Sequence, residues 1–197
     1  MTHRLMLVIV CALEIAMILF VMTWPASSDE NQQKYEIASP PNCKNNLGEK
    51  VFFRDVNNGQ ANSAAGMAKR DDTGTPIVYR FAYQNSPKPL QQFIDFHECA
   101  HHQTGDVDLP HPPRNSPEHM MNESIADCIA TLRIRDEINR GEDFVFRAVE
   151  QLVQDMIKIG FPAVTMESRE ANILNCLKKN KSADAFIDDV LRHRKLK

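Results

Sequence analysis

Hydrophobic and polar positions divide the chain into a strand-forming part and a longer helical part. Two short runs rich in β-branched and aromatic residues, 51–56 and 77–83, are bounded by Asn-Asn-Gly and Gly-Thr-Pro turns, which is typical of strands. Between residues 90 and 101, apolar positions recur at spacings of three and four, which predicts an amphipathic helix. Prolines precede this segment and Gly105 follows it, at places where helices begin and end.

Helical periodicity dominates from Ser116 onward. Ser116 is the predicted N-cap of a helix that has Pro117 at its first position. The helices predicted in this part cover 117–140, about 143–159, about 167–179 and 183–195. The predicted fold class is therefore α+β, with a small N-terminal β-sheet followed by a mainly helical domain. The Pro-rich segment 104–116 either overhangs a cleft as a lid or is a plain connector.

The N-terminus has the composition of an export signal. Residues 5–22 are apolar except for Glu14, and a basic Arg4 precedes them. Small residues follow at Ala26 and Ser28, which predicts cleavage after Ser28. An uncleaved membrane anchor is the alternative, because the apolar run approaches the length of a spanning helix. We therefore expect an exported protein, periplasmic or secreted, that contacts a membrane only if this segment remains.

Length and charge limit the remaining possibilities. The predicted order is a signal or anchor over 1–28, a polar lead-in over 29–48 and one domain over 49–197. The net charge is −3 and no long basic patch occurs, which argues against a nucleic-acid partner. The basic residues of 192–197, with His193 among them, are expected to be solvated.

Residues 97–101, His-Glu-Cys-Ala-His, form an H-E-x-x-H motif inside the first predicted helix. Residues four apart lie on the same face of a helix, so His97 and His101 can direct two imidazoles at one point, with Glu98 beside them. A catalytic Zn²⁺ takes three protein ligands and keeps one position open for water. Glu123 is the candidate third ligand, so the chain has the donors for one Zn²⁺.

This motif and the Asn-Glu-x-x-x-Asp stretch at 122–127 together resemble the gluzincins, the thermolysin-like zinc metallopeptidases. The resemblance implies a zincin-like domain, the three zinc ligands named above and Glu98 as the general base. Asp127, one turn beyond the third ligand, would orient a ligand histidine, because such an imidazole usually donates its other N–H to a carboxylate. The implied activity is hydrolysis of a peptide or protein substrate by a zinc-activated water.

The chain has further histidines close to the motif, at His102, His111 and His119. A metzincin site needs a third His and a Gly soon after the helix, and residues 102–106 do not match it. Gluzincins also have a later His or Tyr that stabilises the oxyanion of the transition state. His119 and His111 are candidates for that role or for the substrate pocket, and His102 is a further one.

In gluzincin-like folds a strand beside the zinc helix offers its edge to an extended substrate, and 77–83 is the candidate, with an ordinary core strand as the alternative. A catalytically idle, secreted zinc-binding or structural protein is the alternative to a peptidase.

Cysteine usage agrees with export. Cys11 would leave with the signal, and an even number of cysteines then remains, which predicts two disulfides of undetermined connectivity. Cys99 points away from the ligand face, so it and Cys128 could each tether the back of an active-site helix. Buried free thiols are the alternative. The four cysteines concerned are Cys43, Cys99, Cys128 and Cys176.

Overall fold

The structure, a computed structural model, describes residues 34–56, 65–138, 142–158 and 163–197. Within them a three-stranded sheet comes first and five helices follow, so the architecture is α+β and mostly helical, as predicted. Lys34–Lys197 forms one compact unit. The predicted signal or anchor, 5–22, lies outside the described residues. Of the helices that the structure describes, none is long and apolar enough to cross a membrane.

The sheet consists of β1 (Phe52–Val56), β2 (Gly66–Arg70) and β3 (Pro76–Phe81), in the order β1-β3-β2. β3 runs parallel to β1 and antiparallel to β2. The prediction that 77–83 offers a free edge is therefore wrong, because β3 is the central strand and pairs on both sides. Its Val78 is completely buried. Among the residues that the structure describes, β2 has no strand on the side away from β3, so the free edge beside the helices belongs to β2, a strand that the sequence analysis missed.

Five helices lie within the described residues, and their order agrees with the prediction. They are α1 (Lys88–Gln103), α2 (Pro117–Ile138), α3 (Glu142–Lys158), α4 (Ala163–Lys179) and α5 (Ala183–His193). The largest difference is at α4, which begins four residues before the predicted 167. Ser116 caps α2 as expected, because its Oγ accepts the backbone N–H of His119 at 3.2 Å.

α1 is buried on two sides, between the sheet and the other helices. On the sheet side, Cys99 packs with Val51 and Val78. On the opposite side, Leu90 and Phe93 join the main core that α2, α3 and α4 complete. Packing on both sides fixes α1, whose C-terminal half carries the H-E-x-x-H motif.

The described part of the lead-in, 34–48, is anchored to the domain although it forms no helix or strand of its own. The N–H of Ala38 donates to Oε1 of Gln91 in α1 at 2.7 Å. A disulfide joins Cys43 to Cys99 in the same helix. Ala38 and Cys43 are both 1% exposed, so these two residues reach the core while most of the segment lies at the surface.

Candidate metal centre

Two histidines of α1 direct their imidazoles at the same point. His97 and His101 are one helical turn apart, and their Nε2 atoms lie 3.2 Å from each other. The ring planes are inclined at 79°, so the two nitrogens converge without stacking of the rings. The disulfide at Cys99 lies on the opposite side of the helix, which leaves this face free for a ligand.

Glu123 of α2 completes a group of three donors. Its carboxylate oxygens lie 3.4 Å from Nε2 of His97 and 3.6 Å from Nε2 of His101. Zinc that is bound tetrahedrally at about 2.0–2.1 Å separates its ligand atoms by roughly 3.3 Å. The observed separations of 3.2, 3.4 and 3.6 Å are close to this value, so the group could hold a metal ion.

A carboxylate and an arginine hold His97 from behind. Nδ1 of His97 donates to Asp127 at 2.9 Å, which is the contact that the gluzincin resemblance implies. Asp127 is 1% exposed, and the guanidinium of Arg169 in α4 donates to both of its oxygens, at 2.7 and 2.5 Å. Sequence reasoning missed Arg169, because no motif connects it to a residue 42 positions away in another helix.

His101 has a corresponding partner in Asp106. Nδ1 of His101 donates to Oδ2 of Asp106 at 3.0 Å. The hydroxyl of Thr104 shares its proton between the carbonyl oxygen of Ala100 at 2.8 Å and the same Asp106 oxygen at 3.1 Å. Asp106 opens a short 3-10 turn, Asp106–Asp108, directly after α1. The sequence does not single out Asp106 either. With the Nδ1 atoms of both histidines occupied, their Nε2 atoms are the ones left to bind a metal.

The charges around the three donors favour a cation. Burial disfavours the imidazolium of His97, but hydrogen bonds to Asp127 and Glu123 outweigh this effect and raise the pKa of His97 to about 10. Burial would also raise the pKa of Glu123, yet the hydrogen bond from His97 and the charges of the neighbouring cations lower it to about 2. Both shifts show that positive charge is stabilised between these side chains.

Glu98 lies beside the histidines and is held by β2. Its Oε2 accepts the backbone N–H of Ala68 at 2.8 Å. β2 approaches α1 so closely here that a Cβ on Gly66 would lie 2.6 Å from Cγ of Glu98. The carboxylate that the motif predicts as general base is therefore fixed in the wall of the site, against the strand with the free edge.

A cavity of about 540 Å³ opens over the three donors, and Glu98 is part of its lining. One wall is apolar and another is formed by residues 65–68 at the start of β2. The Pro-rich segment after α1 contributes His111 and Arg114, so this segment borders the cleft as a lid or specificity loop would. The apolar wall consists of Leu90, Phe93, Ile94 and Met156.

The histidines considered as oxyanion donors occupy different places. His119 lines the cavity, and its Nε2 lies 3.9 Å from Oε1 of Glu123. His111 lines the cavity as well, from the Pro-rich segment. His102 does not, because it is 2% exposed and its Nε2 donates to the carbonyl oxygen of Ile77 at 3.1 Å, on the sheet side of α1. Its suggested place in the site is therefore wrong.

Two disulfides tether the backs of the helices that carry the donors. Cys43 is bonded to Cys99 of α1, and Cys128 of α2 is bonded to Cys176 of α4. The prediction of two bridges is confirmed, and the alternative of free thiols is wrong. Disulfides form and persist in oxidising compartments, which suggests that the protein is exported.

Comparisons with protein-family models, with curated proteins and with solved structures give no match for this chain. The function is therefore inferred from the residues and the geometry of the site.

Proposed function

We propose that this chain is an exported, gluzincin-like metallopeptidase that holds one Zn²⁺ per molecule and hydrolyses peptide bonds. The observation that carries the proposal is the group of His97, His101 and Glu123, whose donor atoms are spaced as in a tetrahedral zinc site. A structural zinc site is closed by four protein ligands, whereas a catalytic one keeps a position open. Three protein donors that face a cavity favour the catalytic kind.

Each residue of the site has a task in amide hydrolysis. Bound zinc supplies a Lewis acid, which lowers the pKa of a water molecule towards neutral pH and stabilises negative charge on a carbonyl oxygen. Glu98 takes the proton of the attacking water and delivers it to the nitrogen of the leaving amine. Because Oε2 of Glu98 accepts the Ala68 N–H, Oε1 is the atom available for this proton. Asp127 and Asp106 keep the Nδ1 atoms of the ligand histidines protonated and their rings oriented.

The free edge of β2 is the proposed substrate-binding strand, and its position beside α1 supports a zincin-like fold. An extended peptide that pairs with this edge would present its main chain alongside Glu98, since Ala68 already contacts that carboxylate. The apolar wall of the cavity, which includes Phe93 and Met156, favours a large hydrophobic side chain next to the cleaved bond.

His119 is the proposed hydrogen-bond donor to the oxyanion. It lies one turn before Glu123 on α2 and lines the same cavity, so its imidazole is held by a regular helix close to the donor group. His111 is the second candidate, and it is exposed on the Pro-rich segment.

A catalytically idle, secreted zinc-binding protein is the second candidate function. In such a protein zinc and the disulfides would merely hold the helices together. Glu98 favours the enzyme, because a structural site has no need of a further carboxylate fixed at the wall of an open cavity.

The deciding experiment combines zinc content with hydrolysis of casein and of an unstructured peptide mixture, with and without a chelator. A peptidase should contain one zinc per chain and cleave in a chelator-sensitive way. Glu98→Gln should retain the zinc and lose turnover, whereas Glu118→Gln, an exposed change on α2, should retain both. Zinc at one per chain without hydrolysis of any substrate would favour the idle protein, and full activity of Glu98→Gln would contradict the assignment of the base.

A further inference from the structure

We infer that the C-terminal tail, residues 194–197, positions a ligand of the metal centre. Its Arg194 fixes the carboxylate of Asp106, and that carboxylate orients the imidazole of His101. The inference rests on the proposed function, since His101 must be a metal ligand. The sequence predicts a solvated basic segment over 192–197. That is correct for His193, which is exposed, but wrong for Arg194, whose side chain is 15% exposed.

The guanidinium of Arg194 joins the two stretches of chain that carry the ligands. It donates to Oδ1 of Asp106 and, at 2.8 Å, to the carbonyl oxygen of Thr104, both just after α1. It also donates to Oδ1 of Asn122 in α2 at 2.7 Å. Asn122 immediately precedes Glu123, the third donor. One side chain therefore bridges the end of the H-E-x-x-H helix and the second ligand-bearing helix.

Asp106 uses both of its oxygens in this arrangement. Oδ2 accepts the N–H of His101 and the hydroxyl of Thr104, while Oδ1 accepts the guanidinium of Arg194. Asp106 is 8% exposed, so its charge needs a partner inside the protein. Rotation of the carboxylate would break contacts on either side, which fixes the direction in which the His101 ring points.

The other ligand has the same series of groups. His97 donates to the buried Asp127, and Asp127 accepts both hydrogen bonds from Arg169. Each ligand imidazole thus has a carboxylate behind it and a guanidinium behind the carboxylate. Partners of this kind typically change metal affinity 10- to 100-fold. The second guanidinium belongs to Arg194, directly after α5.

The end of α5 brings Arg194 to this position. The N–H groups of Lys195 and Leu196 donate to carbonyl oxygens of the last helical turn at 3.1 and 2.9 Å, and Lys195 has φ 58°, which together form a Schellman motif. Leu196 then packs on Gly105, where a Cβ would lie 2.7 Å from its Cδ1. Backbone, apolar and ionic contacts therefore dock the tail on the turn after α1.

Zinc affinity of the full chain tests this positioning role without knowledge of the substrate. We would determine zinc dissociation constants by competition with a fluorescent chelator for the wild type, Arg194→Met, Arg194→Lys and Arg192→Met. Arg192 is exposed and pairs with Asp189, so it is the matched control and should be unchanged. Arg194→Met should bind zinc about tenfold more weakly or worse. Arg194→Lys should recover part of the loss, because it keeps the charge but lacks the planar fork that reaches several acceptors.

A double-mutant cycle tests whether Arg194 and Asp106 affect zinc binding through one chain of contacts or independently. Asp106→Asn should weaken zinc binding to a similar degree, and the combination with Arg194→Met should add little, because both changes interrupt one chain of contacts. The visible absorption spectrum of the Co²⁺-loaded protein should change in Arg194→Met and stay the same in Arg192→Met, since it reports ligand geometry.

Two results would count against these statements in different ways. Zinc affinities and cobalt spectra of Arg194→Met and Arg194→Lys that equal those of the wild type would overturn the role of the tail and leave the metal site intact. A wild-type chain that binds neither zinc nor cobalt would overturn the proposed function, and with it this inference.

Discussion

Gly66 of β2 lies so close to Glu98 of α1 that a β-carbon at position 66 would come within 2.6 Å of Cγ and 2.9 Å of Oε1 of that glutamate. Two residues along the strand, Ala68 donates its N–H to the other carboxylate oxygen. The edge strand β2 therefore has two roles: it fixes the position of the proposed base, and it offers the edge with which a substrate would pair.

Gly66→Ala should reduce peptidase activity on the order of 100-fold, because the new methyl group displaces the base and small displacements of catalytic groups are that costly. Zinc content should stay the same. Gly74→Ala is the control: its φ is 82° and nothing lies near the added carbon, so it should lose about 1–2 kcal/mol of stability but no activity. Wild-type kcat/KM in Gly66→Ala would show that Glu98 does not act from this position.

Arg169→Met should both destabilise the protein and weaken zinc binding. Asp127 is 1% exposed and would lose its cation; breaking a fully buried pair in this way costs roughly 3–5 kcal/mol, and less here because Arg169 keeps 20% exposure. The matched change is Arg133→Met, which loses a pair to the exposed Asp184 and should cost about 1 kcal/mol at most. Urea unfolding and zinc titration measure the two effects, and equal losses in both variants would contradict the assigned role.

Arg169, Asp106 and Arg194 mark the limit of what this sequence reveals. His97, Glu98 and His101 could be identified because helical spacing alone brings them together. Asp127 could be placed because the Asn-Glu-x-x-x-Asp stretch resembles that of the gluzincins, in which this carboxylate orients a ligand histidine. The arginines meet their carboxylates only through packing of distant helices, and the sequence has no spacing that signals such a contact.

The strands show the same limit. The apolar runs of β1 and β3 identify them as strands, but not which of them is central. β2 reads Gly-Met-Ala-Lys-Arg, with one large apolar side chain, so its strand character comes from pairing with β3 and not from its own composition. The free edge could therefore not be assigned before the pairing was known.

Removal of the Cys43–Cys99 disulfide should lower stability without lowering kcat. The bridge closes a loop with a sequence separation of 56, for which the chain-entropy relation gives about 4 kcal/mol. Cys99 packs on the sheet side of α1, away from the donors, so the chemistry should be unaffected while the protein is folded. The double alanine variant is measured by urea unfolding and by activity at low temperature. A fall in kcat of the folded variant would show that the bridge also positions the ligand face.

Arg70 at the end of β2 should contribute stability that depends on pH. Its hydrogen bonds lower the pKa of Asp108 below 3.8 and that of Glu49 below 4.5. A carboxyl whose pKa is lower in the folded than in the unfolded protein stabilises the fold at pH values above its unfolded pKa. This contribution is lost as the pH falls through its folded pKa. The urea midpoint of Arg70→Met should therefore lie below that of the wild type at pH 7, and this deficit should be smaller at pH 3.

Lys69→Met, an exposed change at the preceding position of β2, is the control for this pH effect. Lys69 contacts the ring of Tyr79, and no carboxylate partner occurs for it within the described residues. Its effect on the urea midpoint should be the same at both pH values. A deficit of Arg70→Met that persists undiminished at pH 3 would mean that Arg70 acts through packing and not through its ion pairs.

His119→Ala should lower kcat about 100-fold or more while KM and zinc affinity stay near wild type, which is the result expected when a donor to the oxyanion is lost. The imidazole lies 3.9 Å from the carboxylate of Glu123 and is carried by the same helix, so it is held close to where the carbonyl oxygen would lie.

His111→Ala removes an imidazole from the exposed Pro-rich segment, and a rise in KM is expected there instead. A solvent-exposed segment can close over the site when the substrate binds. If kcat were lost in His111→Ala alone, the donor to the oxyanion would therefore be His111, on a moving lid. Unchanged kcat in both variants would mean that neither imidazole stabilises the transition state.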